Sequence, residues 1–395
     1  MIRRALSESP FLLSAALAAA VGWLGWHSVL VAAQPLGDES AYLCAFAAAR
    51  KGFDPYLACP RFFYLPAFAW LGSVAERLLG EPAVRAILRG CILGGSAVVA
   101  AIAAAWTGWP ARVQVGVAMA CMFLPPVAEG MEVGNLSPVV AALTLLALST
   151  WSTLPVLAGL LLGAGIVVKP IAAVVVVVMA AASGRERRRA WLAVQIALVL
   201  FGAALWPWWD RLMALPSFAE VQMQAHHRIA LVRVLSTFGL HIPAGVVAGL
   251  VAILAALAVR WRAPASSEGR VQRVATVAIC ASLLATPVVW NHTFVLAFPL
   301  MTLALATALG AARERHPINR RRSQLNLLLV IIGVLSVLAS DASGDLGLEP
   351  TSIVGMLPTL LPLLAPGALA LYLGTRVHGA RAAAQPDRCA DFGSG

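Results

Sequence analysis

Asp38 and Glu39 stand side by side in GDESAYLCAFAAARKGFDPYL, directly after a long apolar run. Two adjacent carboxylates cost little in water but a great deal inside a membrane cavity. A carboxylate kept in such a place can accept the proton of an attacking hydroxyl. Asp38 also follows Gly37 and precedes the helix expected over 39–51, which makes it a plausible N-cap. Capping alone leaves Glu39 unexplained. Lys169 is a lone charge between LLLGAGIVV and PIAAVVVVVM. Such a lysine either snorkels from a helical hairpin or serves as a functional cation. Pro170 breaks the helix at that point, so Lys169 sits at a junction and can point into a cavity.

Other candidates share the same chemistry. Arg85 and Arg89 lie one helical turn apart on a common face. They suit interfacial anchoring or a clamp for an anionic head group such as phosphate. His292, in VVWNHTFV, opens a span; its imidazole can donate to a phosphate or a sugar hydroxyl, or simply join a Trp-rich interfacial belt. His226 and His227 precede Arg228 in a long loop, and a metal site there needs more ligands at defined spacing. There is no GxxxxGK[ST], no GxGxxG after a strand and no HExxH. ATP-driven transport and metalloprotease chemistry lose support accordingly.

The elements that position these groups follow from composition. The chain is 60% hydrophobic and 12% charged, against about 25% charged in soluble domains. That balance points to an all-α polytopic membrane protein. The net charge of +11 does not form one basic patch, which argues against nucleic-acid binding. Arginines instead cluster at 3–4, 185–189, 260–273, 313–322 and 376–381, between apolar runs, as in cytoplasmic loops. Runs at 11–33, 84–106, 111–128, 137–151, 154–168, 170–183, 190–208, 242–259, 274–290, 293–311, 325–341 and 353–374 give about twelve spans with both ends inside. The opening run is too long for a signal-peptide core and reads as a retained helix. Residues 62–79 are short for a span and read as an interfacial helix on the outer face; the other parity makes them a true span. A single membrane domain over 1–378 precedes a disordered tail at 379–395.

Under the first parity, Asp38, Glu39, Arg85, Arg89, Glu129, Glu132, Asn135, Lys169, His226, His227 and His292 approach one face. Irregular backbone at membrane depth is tolerated where it lines a cavity. Cys44 and Cys59 fall in the same outer loop, either as a disulfide or as two free small hydrophobes.

These segments resemble glycosyltransferase family 87, whose members have the C-type membrane glycosyltransferase fold. GDESAYLCAFAAARKGFDPYL…FFYLPAFAWL resembles the family's opening loop through Asp38, Tyr42, Ala47 to Ala49, Gly52, Pro55-Tyr56 and Tyr64-Leu65-Pro66. GNLSPVVAALTLLAL resembles its Gly-Gln-x-Asn segment, with Asn135 where the family usually has Gln. LAGLLLGAGIVVKPIAAVVV resembles its A-G-x-x-x-G…K-P segment, and TPVVWNHTFVLAFPL its late Trp-x-His block at Trp290 and His292. The blocks span positions 38–299, about two thirds of the chain.

The resemblance implies a polyprenyl-phosphate monosaccharide donor, a glycolipid or lipoglycan acceptor and transfer with inversion on the extracytoplasmic face of a bacterial plasma membrane. It implies no cofactor beyond the lipid-linked sugar and no obligate metal. Asp38 takes the place of the base. Lys169 and His292, with Arg85, Arg89 and Tyr56, fall on the donor side. Glu39, Tyr42, Tyr64, Glu132, Asn135, His226 and His227 are acceptor-side or supporting residues. Mannose in α-1,2 linkage is the first expectation and an arabinofuranosyl donor the alternative. A lipid or solute transporter would share the broken helices and the intramembrane lysine, and inverted repeats would favour it; none is evident.

Overall fold

The computed structural model describes residues 9–205 except 60, 63 and 183–185, scattered positions within 231–240, and residues 242–261, 267–286, 291–312 and 327–335 except 333. Every regular element among them is a helix. This suits a bilayer, where each backbone polar group needs an internal partner. Helix α1 (Ser9–Leu30) leads to α2 (Gly37–Arg50), a single turn α3 (Pro55–Ala58), α4 (Pro66–Leu79) and the long α5 (Glu81–Trp106). After these come α6 (Ala111–Cys121), α7 (Pro125–Val133), α8 (Ser137–Thr150), α9 (Pro155–Val168) and α10 (Ala173–Ala180). Further along come α11 (Arg187–Leu205), α12 (Ala244–Arg260), α13 (Ser267–Ala285) and α14 (Phe298–Ala312).

Three described segments are long and apolar enough to cross a membrane: Pro10–Leu30, Glu81–Trp106 and Thr293–Gly310. Four shorter apolar helices accompany them: Ser137–Thr150, Pro155–Val168, Pro170–Ala180 and Ala244–Arg260. The run expected to be one span at 111–128 is a bent pair, α6 and α7, with a 48° break. Pro125 and Pro126 explain the bend, since proline starts a helix well and interrupts one already running. The long loop that contains His226 and His227, the spans expected at 325–341 and 353–374 and the tail expected at 379–395 fall wholly or largely outside the described residues.

Two contacts show how sequence dictates packing. Gly159 and Gly163 of α9 face α11. A Cβ on Gly159 would lie 2.7 Å from the Ala193 carbonyl oxygen, and one on Gly163 would lie 2.6 Å from Leu200 Cδ1. Small residues four apart let two apolar helices approach closely, which supplies dispersion energy where no water can be expelled. At the N-terminal ends of these two helices Arg189 donates to the Ser152 carbonyl, and Arg270 Nε of α13 meets Glu186 Oε2 at 2.9 Å.

Helix α4 has 14 residues and spans about 21 Å, less than the roughly 30 Å hydrocarbon core. Its inward face is small and polar: Ala69, Gly72, Ser73 and Glu76 are buried. Trp70, Leu71, Val74 and Leu78 are exposed on the other side. That inversion fits a helix whose solvent is lipid. The inner face packs on α2, where Tyr42 and Phe46 meet the Phe68 ring edge-on at 5.6 and 5.3 Å. A Cys44–Cys59 disulfide ties α2 to the residue after α3. This decides between the two readings of that pair, and it suits an oxidising exterior.

Candidate functional site

The N-cap of α2 is Leu36, and Asp38 lies inside the first turn. The expectation that Asp38 caps the helix is therefore corrected. The cap falls to Glu39, whose Oε2 accepts the Leu36 backbone N–H at 2.8 Å. Glu39 occupies the third helical position, from which a glutamate reaches back to that donor. Asp38 is left to face elsewhere.

Glu39 is 1% exposed and Arg89, on α5, is 4% exposed. Arg89 Nε donates to Glu39 Oε1 at 3.0 Å and Nη2 donates to Oε2 at 2.7 Å. Its remaining N–H groups reach the carbonyls of Leu30 at 3.1 Å, Ala32 at 2.6 Å and Gln34 at 2.8 Å. The guanidinium's five donors are thus spent on the end of α1 and the start of α2. Arg89 is not an open phosphate clamp; it fixes the hinge from which Asp38 projects. Arg85 donates to the Ala33 carbonyl and to Glu81, which extends the same brace. Arg89→Met leaves Glu39 as a buried, unpaired charge. The expected cost is about 3–5 kcal/mol, read as a lowered thermal midpoint in detergent. Adding Glu39→Gln should recover part of it.

Asp38 meets Asn135, which sits between α7 and α8. The α7 helix ends at Gly134, with φ +71°. A side chain there would be strained by the left-handed backbone and would press on Leu36 and Glu39, whose Cβ atoms lie 3.0 and 3.1 Å from an added Cβ. The chain then turns sharply, and the Asn135 Oδ1 accepts the Ser137 backbone N–H at 2.7 Å. This turn points the amide nitrogen outward. Asn135 Nδ2 donates to Asp38 Oδ2 and, at 3.3 Å, to the Tyr64 hydroxyl. Asp38 is half-buried, and its Oδ1 has no hydrogen-bond partner among the described residues.

Tyrosines form the floor beside it. The Tyr42 and Tyr64 hydroxyls are 2.6 Å apart, and Tyr42 also accepts the Leu136 N–H at 3.4 Å. Burial pushes both phenols well above their ordinary range, and the Asp38 charge adds to the effect. Both therefore stay protonated at neutral pH and can donate. Tyr56 donates to the Tyr64 carbonyl at 2.6 Å, so its hydroxyl holds the loop. Asp54 caps that turn by accepting the Tyr56 N–H at 3.0 Å.

Lys169 enters from the other side. It is the extended residue between α9 and the 3-10 turn Pro170–Ala172. Its Nζ donates to Ser137 Oγ at 2.8 Å, and the carboxylates of Asp38 and Glu129 act on its charge. The structure thus brings Asp38, Tyr42, Tyr64, Asn135 and Lys169 together. Glu132 is exposed on α7. The 3-10 segment Asn291–Ala297, which contains His292, packs against α7 and α8, on either side of Asn135. The side chain of His292 and the whole of His226 and His227 lie outside the described residues.

Sequence reasoning missed Ser137. Its signal was the Asn-Leu-Ser-Pro spacing, in which an Asn binds the backbone two residues on and a proline starts the helix.

Residues 62–287 match the profile described as glycosyltransferase family 87, more than half of the chain. Tyr64, Asn135, Ser137 and Lys169 lie inside the match; Asp38 and His292 lie outside it. No curated protein and no solved structure matches the chain.

Proposed function

Since the chain belongs to glycosyltransferase family 87, we propose that it moves one sugar from a polyprenyl-phosphate donor to a glycolipid or lipoglycan acceptor, with inversion. The family is one of membrane glycosyltransferases. The observation that carries the proposal is the polar chain Asp38–Asn135 and Ser137–Lys169. A proton acceptor and a cation, far apart in sequence, are gripped by the two ends of one short turn.

In this scheme Asp38 Oδ1 takes the proton of the acceptor hydroxyl. The hydroxyl oxygen bonds to the anomeric carbon from the face opposite the leaving group. The bond from that carbon to the phosphate oxygen breaks, and polyprenyl phosphate departs with the electron pair. Lys169 stabilises the charge that grows on the phosphate, where a fixed cation in a water-poor site is most effective. Tyr42 and Tyr64 stay neutral beside the carboxylate, and Tyr64 shares with it the Asn135 amide that holds it in place. The site opens to the extracytoplasmic face, with both termini in the cytoplasm, in a C-type fold of about twelve spans. The donor prenyl chain lies between spans, and α4 rests in the outer leaflet beside Asp38. Mannose in α-1,2 linkage is the transfer we put first.

The test is direct. Purified protein in detergent or vesicles is given radiolabelled polyprenyl-phosphate mannose, or the arabinose donor, with a panel of glycolipid acceptors. Label should pass from the mannose donor to a glycolipid. Transfer from the arabinose donor alone corrects the sugar, and transfer from neither overturns the reading.

A further inference from the structure

We infer that the turn Gly134–Ser137 is a positioning device that fixes the proton acceptor and the cation on one rigid element, with Asn135 as the residue that orients Asp38. The inference rests on the reading above, in which Asp38 is the base. Asn135 has both ends of its amide engaged: Oδ1 accepts from the Ser137 N–H at 2.7 Å, and Nδ2 donates to Asp38 and Tyr64. The first bond decides which end of the amide faces Asp38. With the nitrogen toward it, Asp38 Oδ2 is engaged by Asn135, and Oδ1, which has no partner among the described residues, is the oxygen more open to the acceptor. An ionised carboxylate accepts only, so a donor at Oδ2 holds it in the form that can receive a proton.

The same turn governs Lys169. Ser137 is 5% exposed, and its hydroxyl accepts from Nζ at 2.8 Å while its backbone N–H secures Asn135. The base and the cation therefore cannot drift independently. Gly134 enables this, since its left-handed conformation lets α7 stop and α8 begin within three residues. Asn135 itself need not touch a substrate; it acts through Asp38.

Asn135→Ala should lower kcat by about 10²-fold, the scale of a misplaced reacting group, while the donor KM moves by no more than about twofold. The decisive comparison is Asn135→Ala in an Asp38→Asn background. A residue that works through Asp38 takes nothing further once Asp38 has lost its basicity. Ser137→Ala should weaken transfer and Ser137→Thr, which keeps the hydroxyl, should restore it. Normal kcat in Asn135→Ala, or an equal loss in both backgrounds, overturns the inference. If Asn135→Ala does not fold, Asn135→Asp serves instead. It preserves the oxygen that accepts from Ser137 but presents a second oxygen to Asp38, so the same loss is expected and normal turnover overturns the proposal. The two ideas fail differently: full activity of Asp38→Asn sinks the base assignment, whereas an inactive Asp38→Asn beside normal Asn135 variants sinks only the positioning role.

Discussion

Asp38→Asn is expected to reduce sugar transfer by about 10²–10⁴-fold while the protein folds and melts as before. The substitution changes one atom's chemistry and almost nothing else. An asparagine oxygen still accepts from Asn135 Nδ2, so the bond that joins α2 to the turn before α8 survives. Glu39 and Arg89, which set the start of α2, are untouched. What disappears is the ability to take a proton from the acceptor hydroxyl. The loss should therefore lie in kcat, with donor binding close to normal. Single-turnover transfer of radiolabel, beside a thermal melt of the same preparation, reads both quantities. Wild-type turnover in a folded Asp38→Asn protein would remove the carboxylate from the mechanism altogether.

Lys169→Met is expected to cost about 10²–10³-fold in kcat, the range seen when one donor to a developing negative charge is removed. Methionine keeps much of the length and apolar contact of the lysine stem. It cannot bond Ser137 or face a phosphate. The effect should be larger on turnover than on donor KM, because the leaving phosphate gains charge as its bond to the sugar breaks. A donor carrying a better leaving group should be less sensitive to the change than the natural phosphate. Equal sensitivity of the two donors, or a change in KM with kcat intact, would assign Lys169 to ground-state binding.

Much of the site was legible in the chain itself. Lys169 stood out because an isolated charge beside a proline in apolar sequence is costly unless used. Asp38 and Glu39 stood out for the same reason. Most helices followed from apolar runs, and the Gly134-Asn135 pair before Pro138 marks where one helix ends and the next begins. Each of these is a local property, readable from a residue and its neighbours.

What the tertiary structure decided was partnership. Two adjacent acids look alike in sequence, yet Glu39 is buried against Arg89 and Asp38 is held by Asn135. Arg89 had the spacing of a phosphate clamp, but the carbonyls at the end of α1 converge on it from some fifty to sixty residues away in the chain. Ser137 carried no charge to mark it, and only the approach of α9's end to α8's start made it the seat of Lys169. Sequence determines which groups must find a partner, because burial penalises an unpaired charge whatever the fold. Which partner each one finds depends on helices brought together across the bundle, and that geometry is written in no single segment.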